Sequence, residues 1–323
     1  MFVWVGMSVL GGILPACTSP QPCLWITNQE AGTASVIDSA TDTVIDTISL
    51  GEKPAGVTVT RDGQAVFVSV PGTNEVVRID GNTRKITTRT KVPGGPLGLD
   101  VDEVHGHVLV AEWYDESLSV LDAQTLTVQA RIKVGKAPAG VVVVPSRNIA
   151  LVTNRDSSTV SVVSLADDLV KATIPVGTHP FGISIEADGR RAWVAAVKDD
   201  AVTVIDLDTY AVVGTVKVGR TPYDIAFNNE GREAFVTNQH DNSITAIDTQ
   251  TLTPLTKFEA GEYPEGIMAH PDGKRLYSAN WMDDTVSVFD IENKVLLKSI
   301  RTGNGSRAFG RFLGDTQQSC TKE

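Results

Sequence analysis

The side chains best suited to recognition or chemistry fall in polar segments between short apolar runs of the sequence. A mixed set of aromatic, amide and charged groups is what a recognition surface requires, because rings supply contact energy and Arg directs hydrogen bonds. We predict that ten of them bind a protein partner or small ligand: Glu112, Trp113, Asn154, Arg155, His179, Asn238, His240, Asn280, Trp281 and Arg307. Tyr114, Phe181, Tyr223 and Glu265 fall in the same segments.

Support for catalysis is weaker than support for binding. Glu112 with His179 or His240 could act as a general acid and base, but nothing in their spacing singles them out. The sequence has no Gly-x-Ser-x-Gly, no Cys-x-x-Cys-His and no phosphate-binding glycine loop. We therefore assign no catalytic residue and no cofactor, and favour a binding module over an enzyme.

A metal site is not expected either. Of five His residues, only His179 and His240 could converge, which falls short of the three or four ligands that metal sites use. A recurring Asp precedes a turn and is usually followed by Thr three residues later, so its carboxylate should accept hydrogen bonds from the turn. This structural series is Asp38, Asp80, Asp122, Asp206, Asp248 and Asp290.

An internal repeat organises these positions. A glycine ends each repeated unit, and spacings of 41 to 43 residues separate Gly51, Gly94, Gly135, Gly177, Gly219, Gly261 and Gly303. Each unit contains four short runs of Val, Ile, Ala and Thr bounded by turn residues, which is typical of antiparallel strands. No sustained helical period follows Cys17. The pattern predicts an all-β, seven-bladed β-propeller of four-stranded antiparallel blades.

The two ends of the repeat region should close the ring together. Residues 24–50 resemble the last three strands of a unit, and 306–315 resemble a first strand alone. Joined, they make a composite blade that hides the exposed edges of the array. Cys23 and Cys320 would then face each other, and we predict a disulfide between them, with two free thiols as the alternative.

In such a blade the Pro-x-Gly turns and the loops between second and third strands share one end. The ten binding candidates should therefore surround one mouth of the central channel. The alternative is that the repeated Asn residues satisfy loop amides and the aromatic rings pack between blades. Convergence of His179, His240 and Glu112 in a deep pocket would favour an enzyme, and their separation around a wide rim would favour a binding module.

The second-strand motif gives the chain a family resemblance. Val152-Thr153-Asn154, Val236-Thr237-Asn238 and Ile26-Thr27-Asn28 make residues 24–315 similar to the YVTN-repeat β-propeller family. The resemblance implies the fold and says little about function. Related propellers include lyases, lactonases and subunits of quinoprotein amine dehydrogenases and cytochrome-containing reductases. The resemblance therefore adds a lyase- or lactonase-type enzyme, or the non-cofactor subunit of a periplasmic quinoprotein oxidoreductase, as the alternative function.

Export is predicted from the N-terminus. The first 16 residues carry no charge, are too short to span a bilayer, and fit a signal peptide, with Cys17 as a candidate lipidated residue. We therefore divide the chain into a signal peptide (1–16), a propeller (24–315) and a tail (316–323) carrying Cys320. The net charge of −11 disfavours nucleic acid. We expect a monomer in the bacterial periplasm or anchored to a membrane by lipid.

Overall fold

The computed structural model describes residues 22–315 and Cys320, and within them it contains twenty-seven β-strands joined by turns and short loops. Among these residues there is no α-helix, and the helical turns are 3-10 turns at Pro71–Thr73, Pro145–Arg147, Arg155–Ser157 and Gln239–Asp241. The near absence of helices is confirmed. The predicted signal peptide, Cys17 and most of the predicted tail lie outside the described residues.

The strands form seven sheets in chain order, six of four strands and one of three. We number the resulting blades from the N-terminus. Blade 1 contains β1 (Cys23–Asn28), β2 (Thr33–Asp38) and β3 (Thr43–Ser49); blade 2 contains β4 (Val57–Val59), β5 (Ala65–Val70), β6 (Glu75–Asp80) and β7 (Ile86–Lys91); blade 3 contains β8 (Pro96–Asp102), β9 (His107–Glu112), β10 (Ser117–Asp122) and β11 (Val128–Lys133); blade 4 contains β12 (Pro138–Val144), β13 (Ile149–Asn154), β14 (Thr159–Ser164) and β15 (Leu169–Pro175). Blade 5 contains β16 (Pro180–Ile185), β17 (Arg191–Ala196), β18 (Ala201–Asp206) and β19 (Ala211–Lys217); blade 6 contains β20 (Pro222–Phe227), β21 (Glu233–Asn238), β22 (Ser243–Asp248) and β23 (Thr253–Glu259); blade 7 contains β24 (Pro264–Ala269), β25 (Arg275–Asn280), β26 (Thr285–Asp290) and β27 (Val295–Arg301).

The C-terminal segment 306–313 completes blade 1, as predicted. It lies antiparallel beside β1, with bridges that join Leu24 to Leu313 and Asn28 to Ser306. The Trp25 amide donates to the Phe312 carbonyl at 2.9 Å. The segment also contacts blade 2, where the Val57 amide donates to the Phe309 carbonyl at 2.9 Å. Ring closure therefore uses hydrogen bonds on both sides of this segment, and the seven-bladed fold is confirmed.

A disulfide joins the two ends of the chain in blade 1. Cys23 and Cys320 are bonded across 297 residues, with their Cα atoms 5.1 Å apart, so this prediction is confirmed. Disulfides are typical of proteins in oxidising compartments. Among the described residues, no helix is long and apolar enough to cross a membrane.

Apolar side chains from facing blades form the core. Trp25, Trp193 and Tyr277 are among the largest side chains that are fully buried between the sheets. The fourth strands lie outermost, so β27 is exposed along most of its length. The first strands line the axis and approach closely, because a Cβ added at Gly140 would lie 2.4 Å from the carbonyl oxygen of Phe181. Glycine at this position thus permits the tight inner ring.

The recurring Asp residues cap turns, as predicted. The Thr125 amide donates to Asp122 Oδ1 at 2.7 Å, and the Thr251 amide donates to Asp248 Oδ1 at 2.6 Å. These amide hydrogen bonds, with those from the Thr hydroxyls, hold the pKa values of both carboxyls below their ordinary range.

Candidate functional site

The register of the strands places the predicted binding segments at one end of the propeller. In blade 4, Pro138 pairs with Asn154, and Asn154 pairs with Thr159. The Pro-x-Gly turn that begins the inner strand therefore lies beside the loop between the second and third strands. We call this end of the channel the mouth, and the end formed by the Asp-Gly turns the turn face.

The repeated Asn side chains lie within the blades rather than on the mouth surface. Asn154 accepts from the Gly135 amide at 3.0 Å and donates to Thr159 Oγ1 at 3.0 Å and Ser161 Oγ at 2.9 Å. Asn238 accepts in the same way from the Gly219 amide. Because Asn154, Asn238 and Asn280 are fully buried, they tie loops to strands and present no group to a ligand.

Glu112 takes the place of an Asn in blade 3. Its Oε2 accepts from the Gly94 amide at 2.9 Å, and its Oε1 accepts from the Ser119 hydroxyl. The side chain is fully buried, so it is committed to the same loop as its Asn counterparts. In blade 3 a carboxylate therefore accepts the hydrogen bond from the loop amide that an Asn side chain accepts in blades 4 and 6.

Aromatic side chains close the mouth end of the channel. Phe181, Tyr223 and Phe309 pack with ring centroids 4.4 to 5.9 Å apart. All three are at most 8 % exposed, and Trp113 packs against their edge at 6.4 Å from Phe181. We call these four side chains the aromatic layer. Because these rings come from blades 1, 3, 5 and 6 and still contact one another, they close the axis at this level, which favours a broad face over a deep pocket at the mouth.

A buried ion pair lies beside the aromatic layer. Arg307 Nε donates to Glu265 Oε2 at 2.5 Å, and Arg307 Nη2 donates to the Tyr223 hydroxyl at 2.5 Å. Gln239 Nε2 also donates to Glu265 Oε1, at 2.9 Å. Burial raises the pKa of the Glu265 carboxyl, and Arg307 opposes that shift. Arg307 therefore links blade 1 to blades 6 and 7, with only 15 % of its side chain exposed.

The rim of the mouth carries the remaining candidates in two groups. In the first, the Arg155 guanidinium lies 5.7 Å from the centroid of the Trp113 ring. In the second, His240 Nε2 lies 2.5 Å from the Tyr263 hydroxyl, and the Tyr263 ring lies 6.0 Å from that of Trp281. These two groups sit on different blades around the rim.

The residues proposed for acid–base chemistry do not form one cluster in the observed contacts. The other ring nitrogen of His240 lies 2.6 Å from Thr221 Oγ1, so both nitrogens are engaged away from Glu112. His179 has a left-handed backbone conformation and a buried Nδ1 with no hydrogen-bond partner. Within residues 22–315 and Cys320, no group of three or more His, Cys, Asp or Glu side chains could hold a metal ion.

Sequence reasoning did not identify the cavity in the channel. A cavity of 710 Å³ extends from the underside of the aromatic layer to the turn face, and Asp188 and Asn229 are among the residues that line its outer end. At its inner end Asp224 stands where five blades have the Gly of Pro-x-Gly. That departure from the repeat was the signal that could have located the cavity.

Comparisons with known proteins agree with the fold. A family model described as "Lactonase, 7-bladed beta-propeller" matches residues 177–312, less than half of the chain. No curated protein matches the chain in sequence. A functionally unknown protein from Desulfotomaculum acetoxidans is similar with a TM-score of 0.77 at 14% identity, over 88% of this chain and 98% of that one.

Two further solved structures are similar. Kuenenia stuttgartiensis hydrazine synthase aligns with a TM-score of 0.76 at 17% identity, over 88% of this chain and 99% of that one. Dihydro-heme d1 dehydrogenase NirN in complex with DHE aligns with a TM-score of 0.68 at 18% identity, over 89% of this chain and 66% of that one. Similarity at these identities concerns the fold alone. The YVTN-repeat assignment stays a prediction, and the chain is a seven-bladed β-propeller.

Proposed function

We propose that this propeller is an exported binding module that docks a protein partner on its mouth. The observation that carries the proposal is the aromatic layer, because it leaves a broad face at the mouth. A small ligand would bury most of its surface in a concave site. A protein partner instead needs a broad face with aromatic anchors and directed polar groups.

Side chains at the mouth have the chemistry of such a face. Tyr114 is 79 % exposed and Met282 is 57 % exposed, although both are large and apolar over most of their surface. Trp113 and Trp281 lie half-buried beside them. Arg155, stacked on Trp113, supplies the directed donor. Rings held by packing lose little conformational freedom on binding, which favours them as contact residues.

Export is supported by the disulfide and by the composition of the first 16 residues. The bond between Cys23 and Cys320 suits an oxidising compartment, and the uncharged N-terminal run suits an export signal. Cell fractionation, combined with radiolabelled palmitate, tests both export and lipidation of Cys17. A Cys17→Ser variant that stays lipid-labelled would contradict the lipid assignment.

Site-specific photo-cross-linking tests the docking face. A photoreactive phenylalanine analogue is placed at Tyr114, in the mouth loop of blade 3, or at Val104, in the opposite turn of the same blade. Val104 is 70 % exposed, so the two positions are matched in accessibility. We expect one discrete cross-linked protein from position 114 and none from position 104. Cross-linking from position 104 alone would place the partner on the turn face. No cross-linking from either position would refute docking.

A lactonase-type hydrolase is the second candidate function. The observation that favours it is the lactonase family model, which matches blades 5 to 7 and the C-terminal segment as far as residue 312. Purified protein should then hydrolyse γ- or δ-lactones at a rate proportional to protein concentration, as followed by acid release. An absence of turnover across five- and six-membered lactones would remove this candidate.

A further inference from the structure

The cavity in the channel has the dimensions of a small-molecule site. Its 710 Å³ falls within the range of about 300–1,000 Å³ that such sites occupy. It is closed at the inner end, where Phe309 belongs both to its wall and to the aromatic layer. Apolar side chains such as Ala226 and Met268 line its middle. A ligand would therefore enter from the turn face and end beneath the aromatic layer.

Asp224 places a carboxyl group at the closed end. It is 6 % exposed, and its Oδ1 accepts from the Ile225 amide at 2.9 Å. A Cβ added at Gly182, in the neighbouring inner strand, would lie 2.9 Å from that oxygen. The glycine of one repeat thus makes room for the carboxyl of the next. No ion pair to Asp224 is found among the described residues, so no cation balances its charge when it ionises.

Both arginines in the cavity wall are paired with carboxylates near its open end. Arg61 bonds Asp315 at 2.6 Å, and Arg311 bonds Glu103 at 3.2 Å. Both guanidinium groups are therefore engaged by carboxylates at the open end, away from Asp224 at the closed end.

The second carboxylate in the wall is satisfied by hydrogen bonds. Asp100 accepts from the Thr58 hydroxyl at 3.1 Å and from the amides of Val101 and Val143 at 2.8 and 2.9 Å. Three such donors stabilise a carboxylate without a cation. Asp224 accepts from two backbone amides, those of Ile225 and Ile267, and lacks a hydroxyl donor such as Thr58, so its negative charge is less fully compensated than that of Asp100.

The surroundings of Asp224 set the pH at which it carries charge. Burial raises its pKa to about 7. Glu265 on β24 faces it and adds to the shift, whereas β16 carries no titratable group. On the other two adjacent strands, Arg191 of β17 pairs with Glu186 and Glu233 of β21 pairs with Lys294.

We propose that the channel binds a small organic cation, with a primary ammonium on the Asp224 carboxylate and an apolar body against Phe309, Ala226 and Met268. An ammonium supplies the positive charge that the buried carboxylate lacks and adds hydrogen bonds to those from the backbone amides. The Phe309 ring, in the wall of the same cavity, offers a cation–π contact. The site lies on the opposite side of the aromatic layer from the mouth, so its test does not depend on the docking proposal.

The probe is 2-phenylethylammonium, with 2-phenylethanol as its neutral counterpart, titrated by calorimetry against the full-length protein. At pH 8 we expect the ammonium to bind at least tenfold more tightly than the alcohol. At pH 6, where Asp224 is largely protonated, the affinity for the ammonium should fall about tenfold, because each pH unit below the pKa removes about tenfold of the ionised form. Affinity for the alcohol should not change.

Two substitutions locate the effect. Asp224→Asn keeps the shape of the side chain, and Asp224→Gly restores the residue found in five other blades, so at least one should fold. Both should lower the affinity for the ammonium at pH 8 at least tenfold, whereas Asp62→Asn, at an exposed turn that does not line the cavity, should change it less than twofold. Equal binding of ammonium and alcohol, no ammonium binding at pH 8, or unchanged binding by the two Asp224 variants would overturn the proposal.

Discussion

The buried carboxyl of Asp224 makes the stability of the propeller depend on pH in a calculable way. Its pKa rises from 3.8 in the unfolded chain to about 7 in the native state, because burial disfavours the charged form. Between these two values the native state binds more protons than the unfolded state. Stability therefore falls as pH rises, by about 1.4 kcal/mol per pH unit within this window.

Asp224→Asn removes this dependence without changing the shape of the side chain. The difference of about 3 units corresponds to a penalty of about 4 kcal/mol in the wild type above pH 8, an upper limit if water in the channel solvates the carboxylate. The free energy of unfolding of the variant, minus that of the wild type, should increase by this amount from pH 4 to pH 8. Other titrating groups contribute to both proteins and largely cancel.

Guanidinium unfolding with the disulfide intact, repeated at each pH unit from 4 to 9, measures the two curves. Asp188→Asn, at an exposed turn, is the matched control and should run parallel to the wild type. If the Asp224→Asn curve is also parallel within about 0.5 kcal/mol, the carboxyl titrates normally. In that case the channel does not desolvate it, and the reasoning from burial fails.

Three further predictions concern the closure of the ring. Cys23→Ser, which removes the bond to Cys320, should lower the free energy of unfolding by about 2–4 kcal/mol, and reducing agent should then have no additional effect on the variant. Arg307→Met should lower the free energy of unfolding by about 3–5 kcal/mol, because it leaves Glu265 charged and buried without its partner. Denaturant unfolding should show that adding Glu265→Gln restores part of this free energy, and no recovery would contradict the ion pair. His270, whose Nε2 lies 3.1 Å from Ser39 Oγ of blade 1, joins blade 7 to blade 1. His270→Gln should reduce the loss of stability as pH falls from about 6.5 to 5, because burial lowers the pKa of His270 and the unfolded state takes up the proton first; an equal loss in both proteins would show that His270 is not responsible.

The fold could be predicted from the sequence because every blade repeats the same order of strands and turns. A four-stranded unit cannot bury both of its faces alone, so a repeat of about 42 residues requires neighbours on each side. The incomplete units at 24–50 and 306–315 then had one way to close the ring. The disulfide between Cys23 and Cys320 could be predicted from that closure, since the composite blade brings the two segments together.

The candidate site was harder to predict because the repeat gives a residue's place along a blade but not its accessibility. Asn154 and Glu112 were placed at the correct end, yet their side chains turn inward to bond the loop amides. Arg307 was expected at the mouth surface, but Glu265 and Tyr223 draw it into a buried network. Such contacts depend on residues one to three blades away, which spacing along one blade does not reveal.

The two ends of the channel differ in the size of the side chains that line them. Each blade contributes one residue at each level along the axis. At the middle position of Pro-x-Gly the seven inner segments place Ala55, Leu97, Ala139, Phe181, Tyr223, Glu265 and Arg307. Three residues further along they place Thr58, Asp100, Val142, Ser184, Ala226, Met268 and Gly310.

The first ring of residues has large side chains on four consecutive blades, 5, 6, 7 and 1, and these fill the axis together with Phe309. The second ring has mostly small ones, which cannot meet across the same diameter. The difference in side-chain volume therefore accounts for a channel that is closed at the first level and open at the second. The cavity therefore begins where the large residues end, directly beneath Phe309 and Asp224. A ligand in the channel and a partner at the mouth would occupy opposite sides of one aromatic layer.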